Sequence, residues 1–374
     1  MLNIGIVGAR GLSTMMGFEA IEGVKVTALC DLREDFLNEQ ARRHNIPHTY
    51  RIFEDMLLSD IDAVVIATPM QLHVPQALLA LTAGKHVLSE VTAGVTMDEL
   101  WWLKEAVEKS GKTYMLAENY CYMPFAQIVK SMAGQGLFGD VYYGEGEYIH
   151  AVPSLTRNQD GTPTWRKYWQ LGVRGTFYPT HSLGPVMQWF GDDRVKTIST
   201  YTPGHRTGSG MRQDDMTVTM CELASGKLVK IRVDCLSPRP HNMTGYALQG
   251  TKGAFESARS HDGKHLVWLD SFGDGLEHAQ WRDLMDYQEY LPARYRNATA
   301  QQNAAGHGGG DFFLVEDFVN AIRTGQPPEL DVYKACEWTA VGLLSQLSVM
   351  NNGRPMDVPD FRNAETITEQ ELRL

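Results

Sequence analysis

The chain has 374 residues, 43% hydrophobic and 21% charged, with a formal net charge of -11. Single cores stop growing at roughly 250–300 residues, so this length and composition point to a globular protein of two domains. The acidic balance repels phosphate backbones and excludes nucleic acid as an expected partner. No apolar run reaches the roughly 18 residues that a membrane span needs, so no membrane is expected either. Met1 to Val7 reads directly into a strand without a basic and apolar leader, which predicts a cytoplasmic protein. The five cysteines (Cys30, Cys121, Cys221, Cys235 and Cys336) are odd in number, scattered and without a Cys-x-x-Cys pair. Reduced, mostly buried thiols are expected rather than a disulfide framework or a zinc site.

In chain order, apolar runs alternate with amphipathic stretches. Leu2–Val7 reads as a strand, 11–21 as a helix, Val24–Cys30 as a strand and 33–44 as a helix. Residues 61–67 (IDAVVIA) are apolar except for Asp62, as expected of a strand covered on both faces. A helix over 71–83 and a short strand at 86–88 follow. Thr96-Met97-Asp98-Glu99 is a capping box that opens a helix running to about Lys109, and 113–116 is a further strand. This alternation implies right-handed crossovers and a doubly wound parallel sheet in an N-terminal domain, 1–122. Past 120–140 the rhythm changes. Residues 141–150, 215–222, 227–235, 246–249 and 265–269 read as strands without intervening helices, with a hairpin at Ala224-Ser225-Gly226. A mostly antiparallel sheet is therefore expected in a second α/β domain, 123–374. Two helices, 312–322 and 332–350, close the chain, the last able to pack back on the first domain.

The first strand runs into Gly8-Ala9-Arg10-Gly11-Leu12. A complete G-x-G-x-x-G is absent, but a glycine turn between a buried strand and a helix aims free backbone N–H groups at a pyrophosphate. Gly8, Arg10, Gly11 and Leu12 form that turn. The second strand ends at Asp31, about 20 residues past the turn, where a ribose-binding carboxylate belongs. Such a carboxylate repels a 2′-phosphate and favours NAD. Arg33 beside it is the residue that would meet a 2′-phosphate, so NADP ranks second. A plain helix cap is the alternative use of Asp31.

Further motifs carry a resemblance. Ala67-Thr68-Pro69 precedes Leu72-His73, Gly84 to Glu90 reads GKHVLSE, and Gly250-Thr251-Lys252-Gly253 lies in the β-rich region. In order and spacing the chain resembles the glucose–fructose oxidoreductase / inositol dehydrogenase / MocA family over nearly its whole length. The resemblance implies a Rossmann domain followed by an α/β domain with an open, mainly antiparallel sheet. That sheet is expected to form a homo-oligomer, dimer or tetramer. It also implies NAD(P), with Thr68, Pro69, His73, Glu90 and Asn119 added to the cofactor site, and a small-molecule sugar or polyol substrate. Dehydrogenases of the family carry Glu-Lys-Pro where this chain reads Glu90-Val91-Thr92, and an Asp where this chain has Phe177. Two of their three proton-transfer residues are thus missing.

The altered segments are similar to one branch, the NAD-dependent glycosidases first known as α-N-acetylgalactosaminidases. The similar stretches are 89–93 (SEVTA), 118–122 (ENYCY), 178–185 (YPTHSLGP), 307–311 (HGGGD) and the tail from Asp331 to Phe361. The branch's active-site residues carry over onto Glu118, Tyr148, Arg166, Tyr178 and His181. Such an enzyme takes hydride from a ring carbon onto NAD, eliminates the C1 substituent next to the resulting ketone, adds water and returns the hydride.

His181 is then the base at the oxidised hydroxyl, since imidazole titrates near neutral pH, with Tyr178 on the same hydroxyl. Tyr148 takes the C2 proton. A phenol is a poor base, and Arg166 is the cation expected to help it. Arg166 and Trp165, in the polar-aromatic run 165–169, together with Glu118 and His307, are expected to hold the sugar. An aromatic on a sheet face for Tyr148, core packing for Tyr178, a core or helix-start position for His181, a solvated charge for Arg166, a helix cap for Glu118 and a loop before a capped helix for 307–311 are the plainer alternatives. No grouping has metal-ligand spacing. The competing functions are a net dehydrogenase of a free sugar, inositol or polyol, and a non-catalytic NAD-binding sensor.

Overall fold

The computed structural model describes residues 1–260 and 262–363. Residues 364–374, assigned above to the second domain, lie outside them. The described chain divides into two compact units, the first of 1–122, 298–336 and 361–363, the second of 123–297 and 337–360.

The first unit is built on six parallel strands, β1 (Leu2–Val7), β2 (Val24–Cys30), β3 (His48–Tyr50), β4 (Ala63–Ile66), β5 (His86–Ser89) and β6 (Tyr114–Leu116), in the order β3-β2-β1-β4-β5-β6. All four residues of β4 are buried, which accounts for its unbroken apolar run. The helices are α1 (Met15–Glu19), α2 (Glu34–Arg43), α3 (Phe53–Leu57), α4 (His73–Thr82) and α5 (Met97–Ser110). The expected helix over 11–21 is shorter in its α part. The chain leaves β1 in a 3-10 turn over Ala9–Thr14 before α1 begins, because Gly8 turns it with φ 91°. Thr96 caps α5 by accepting the Glu99 N–H at 3.2 Å. The return leg differs from the expected capping box: the Glu99 carboxylate takes the Val95 N–H at 2.7 Å, one residue earlier. β3 and α3 escaped the sequence reading because they are only 3 and 5 residues long.

The second unit starts with α6 (Pro124–Gly134), which has proline at its first turn, where the missing N–H costs nothing. A nine-stranded sheet follows, made of β7 (Val141–Ile149), β8 (Val195–Tyr201), β9 (Thr217–Leu223), β10 (Leu228–Asp234), β11 (Asn242–Gly250), β12 (Gly253–Glu256), β13 (Leu266–Leu269), β14 (Arg282–Asp283) and the late β15 (Met356–Asp357). Its order is β14-β13-β12-β11-β7-β10-β9-β8-β15, antiparallel at every step except β7/β10. β9 and β10 form the expected hairpin, with Gly226 supplying φ 84° at the turn. Two short helices, α7 (Trp165–Tyr168) and α8 (Thr180–Met187), lie between β7 and β8, and α9 (Ala293–Arg296) ends this stretch.

The chain then returns to the first unit with α10 (Ala300–Asn303) and α11 (Gly310–Thr324). α11 packs on α1 so closely that a Cβ on Gly17 would lie 2.6 Å from Val315 Cγ2. The boundary between the units falls inside α12 (Val332–Met350), between Cys336 and Glu337. All five cysteines are buried. Among the described residues no helix is long and apolar enough to cross a membrane.

Candidate active site

In the first unit, β1 pairs with β2 on one side and β4 on the other, so the turn after β1 sits where the strand order reverses. That crevice is where doubly wound sheets take their ligands. A Cβ on Gly8 would stand 2.4 Å from the Ala67 carbonyl oxygen, and one on Gly11 2.6 Å from Ile6 Cγ2. Side chains are excluded there, and the backbone stays bare for a phosphate. Asp31 follows β2 directly, and its carboxylate is engaged by Arg33 through the backbone N–H at 3.0 Å and the guanidinium at 3.1 and 3.2 Å. Arg33 also lies over the Phe36 ring at 4.2 Å. The glycine cradle and the acid after β2 are the parts a dinucleotide needs, so the residues fit NAD.

The loops beyond β4, β5 and β6 hold the remaining candidates of this unit. Thr68 donates its hydroxyl to Gln76 at 2.6 Å. Pro69 caps the short 3-10 turn that leads into α4. His73 is buried, with its ring nitrogens 2.8 Å from the Thr92 carbonyl and 2.9 Å from that of Thr68. It ties the loop after β4 to the one after β5, and burial lowers its proton affinity. Arg10 faces Glu90 at 3.8 Å. Glu118 is fully buried and accepts the Tyr120 N–H at 3.3 Å.

His307 lies beside Asn119 in this unit. Residues 306–309 all have positive φ, including 47° at His307, a conformation that glycine adopts freely and other residues rarely do. Asp311 holds the ring, with its oxygens 2.9 and 3.0 Å from His307 Nδ1. The Asn119 amide lies 3.2 Å from the same nitrogen and 3.3 Å from Asp311 Oδ1. A nitrogen that donates to the carboxylate has no lone pair for the amide, so Asn119 donates to Asp311. The Asp311 hydrogen bond raises the proton affinity of His307 against the opposing effect of burial.

The second unit gathers Tyr148, Tyr178 and His181. Gly144, Gly146 and Tyr148 share one face of β7. A Cβ on Gly146 would lie 1.8 Å from the Ser182 carbonyl oxygen, and one on Gly144 2.6 Å from Val186 Cγ1. These two glycines let α8 lie directly on the strand, which sets His181, in its first turn, against Tyr148. The ring centroids are 5.0 Å apart for Tyr148 and His181, 5.1 Å for Tyr178 and His181, and 5.8 Å for Tyr148 and Tyr178. Pro185 has no N–H to give the carbonyl of His181, four residues earlier, and that carbonyl instead accepts the buried Tyr246 hydroxyl at 2.6 Å.

Two residues of this cluster went unread in the sequence. The Tyr148 hydroxyl lies 2.7 Å from His150 Nδ1, and the His241 ring lies 4.6 Å from that of His150. Burial, then His241, Arg166 and His181, lower the His150 pKa to about 4. Alternation along β7 pointed to His150, two residues beyond Tyr148 on the same face. Arg166 donates to Gln170 at 2.5 Å and stacks over Trp165 at 4.6 Å.

The family model of an oxidoreductase family with an NAD-binding Rossmann fold matches residues 2–118, and that of the glycosyl hydrolase 109 C-terminal domain matches 200–368. A glycosyl hydrolase family 109 protein of Saccharopolyspora erythraea is 33% identical over 392 residues, covering 96% of this chain and 83% of the relative. One from Shewanella amazonensis is 32% identical over 95% of this chain and 84% of its own. Among solved structures, levoglucosan dehydrogenase in complex with NADH and L-sorbose matches with a TM-score of 0.80 at 19% identity, over 97% of this chain and all of its own. Apo scyllo-inositol dehydrogenase from Lactobacillus casei matches at 0.70 and 18%, over 96% and 98%. At such identities these two likenesses establish the fold.

Proposed function

The chain belongs to glycosyl hydrolase family 109, and from that premise and the two clusters we propose an NAD-dependent enzyme that cleaves a glycoside in a redox-neutral cycle. Bound NAD supplies a hydride acceptor that is restored at the end of each turnover. The 1–122 segment serves the cofactor: the bare turn at Gly8, Arg10, Gly11 and Leu12 takes the pyrophosphate, and Asp31 the ribose. His73 acts there through the two loops it ties, which carry Thr68, Pro69 and Glu90. Asn119 and Arg33 complete the set.

The 123–374 segment serves the sugar. His181 takes the hydroxyl proton as hydride leaves a ring carbon, C3 in this reading, and Tyr178 hydrogen-bonds the same oxygen. The ketone left behind acidifies the neighbouring C2–H. Tyr148 removes that proton while the C1 substituent departs, which leaves a C1=C2 double bond. Water adds at C1, the proton returns to C2 and the ketone is reduced, so the balance is hydrolysis. The substrate-binding residues of this reading are Arg166 and Trp165 in the second unit and Glu118 and His307 in the first. A cytoplasmic dimer or tetramer assembled through the nine-stranded sheet belongs to the same reading.

The observation that carries it is the Tyr148/Tyr178/His181 cluster, with ring centroids 5.0–5.8 Å apart, in a chain whose dehydrogenase lysine position is Val91. The test follows absorbance at 340 nm and released aglycone together, on a panel of aryl glycosides, natural glycosides and free sugars. Aglycone release without lasting NADH, abolished in His181→Ala, is expected. NADH accumulating from a free sugar without aglycone would make the protein a net dehydrogenase.

A further inference from the structure

We propose that Gln170 is a positioning residue for Arg166: its amide oxygen fixes how the guanidinium lies on Trp165, so that the arginine meets the sugar already oriented. The inference rests on the reading of Arg166 as a substrate-binding residue and concerns how that residue is prepared.

A long arginine samples many rotamers, and ordering it at the moment of binding weakens the complex. Arg166 is held twice before a substrate arrives. Its guanidinium lies over the Trp165 ring at 4.6 Å, and its Nη1 donates to Gln170 Oε1 at 2.5 Å. The two contacts act differently. A ring face keeps a flat cation parallel to itself but leaves it free to turn in its own plane, and a hydrogen bond to one nitrogen removes that freedom. A guanidinium has donors only, so the amide must turn its oxygen towards it, and the direction of the bond is fixed by the chemistry of the pair. One of the five N–H donors of Arg166 is used in this way, and the others are left to meet sugar hydroxyls.

The backbone puts Gln170 in that place. It lies four residues beyond Arg166, the spacing that brings two side chains together on a helical turn. The turn continues past α7: the Trp169 N–H donates to the Trp165 carbonyl at 3.0 Å and the Leu171 N–H to the Arg166 carbonyl at 2.8 Å. Leu171 is fully buried, and its own carbonyl accepts the Gln213 N–H at 3.1 Å. Gln170 is thereby drawn out of water, with 1% of its surface exposed. An Arg166 rotamer that left it would strand a buried acceptor, so the held rotamer is favoured. The charge held there reaches the cluster of the second unit. It opposes protonation of His150 and favours loss of the Cys235 proton, and these residues directly follow β7 and β10. The guanidinium therefore stands at the strand ends where Tyr148 lies.

The readout independent of turnover is NMR of the intact protein labelled in its arginine side chains, with Arg166 assigned from Arg166→Lys. The expected result is separate, slowly exchanging Nη signals for Arg166 in the parent that merge in Gln170→Met. Signals already merged in the parent overturn the inference. In kinetics on the aryl glycosides, Gln170→Met, of similar length but without the acceptor, is expected to raise KM roughly two- to ten-fold with kcat little changed. Gln170→Glu keeps an acceptor for the guanidinium and should return KM to within about two-fold of the parent. Arg166→Ala is expected to raise KM roughly ten- to a hundred-fold, and adding Gln170→Met to it should change nothing further. A second, equal rise in that background would show a merely structural role and overturn the inference. If Arg166→Ala leaves KM unchanged, the reading of Arg166 fails and the inference with it. If Arg166→Ala raises KM while Gln170→Met does not, only the inference on Gln170 is overturned.

Discussion

Gly146→Ala adds one methyl at the contact that seats α8 on β7. The new Cβ would stand 1.8 Å from the Ser182 carbonyl oxygen, whereas ordinary contact begins near 3.4 Å, so the helix must retreat by about 1.6 Å. The obstacle is backbone and cannot rotate away. Overpacking of this kind costs about 1–3 kcal/mol. In a unit of this size each kcal/mol lowers Tm by about 2–4 °C, which predicts a loss of about 2–12 °C. The same displacement draws His181 away from Tyr148, and a misplacement near 1 Å can cost about a hundred-fold in rate. Calorimetry and aglycone release on purified protein measure the two effects. Gly134→Ala is the control: it lies on α6, in the same unit, with nothing within 4 Å of the added methyl, and should leave both nearly unchanged. A Gly146→Ala protein that melts and turns over like the parent would refute the claim that close approach of α8 builds the cluster.

Tyr246→Phe removes the 2.6 Å hydrogen bond to the His181 carbonyl and should cost about 1 kcal/mol together with a several-fold loss of kcat; unchanged melting argues that the bond carries nothing. Gly8→Ala places a methyl 2.4 Å from the Ala67 carbonyl at a φ of 91°, so the variant should purify without NAD; retention of NAD at the parent level would contradict the assigned cradle. Asp311 raises the His307 proton affinity above the usual pKa of about 6.5, so the folded state holds that proton more tightly than the unfolded chain. The stabilisation is complete below about pH 6.5 and is lost as pH rises through the folded-state value. The Tm advantage over Asp311→Asn should therefore shrink as pH rises above about 6.5, and a constant gap across that range would dismiss the pairing.

Periodicity alone placed β1, β2 and α12 at their observed bounds, because their recurring apolar positions stand out against the polar and glycine residues that flank them. The glycine turn and Asp31 were legible because a phosphate and a ribose make local demands on backbone and charge. Tyr148, Tyr178 and His181 were named from the family resemblance, but nothing in one dimension brings residue 148 to 181. That depends on Gly144 and Gly146, read merely as part of a strand, which leave room on β7 for a helix backbone. Pro185 could be read as a helix proline; that it leaves the His181 carbonyl to Tyr246 became visible once β11 was paired. His241 bore no signal, since its neighbour His150 is 91 residues away in the chain and the two meet through the β7/β11 register. Elements follow from local hydrophobic period and turn chemistry, whereas the distances that set proton transfer arise from nonlocal packing, where one absent methyl decides how near two backbones come.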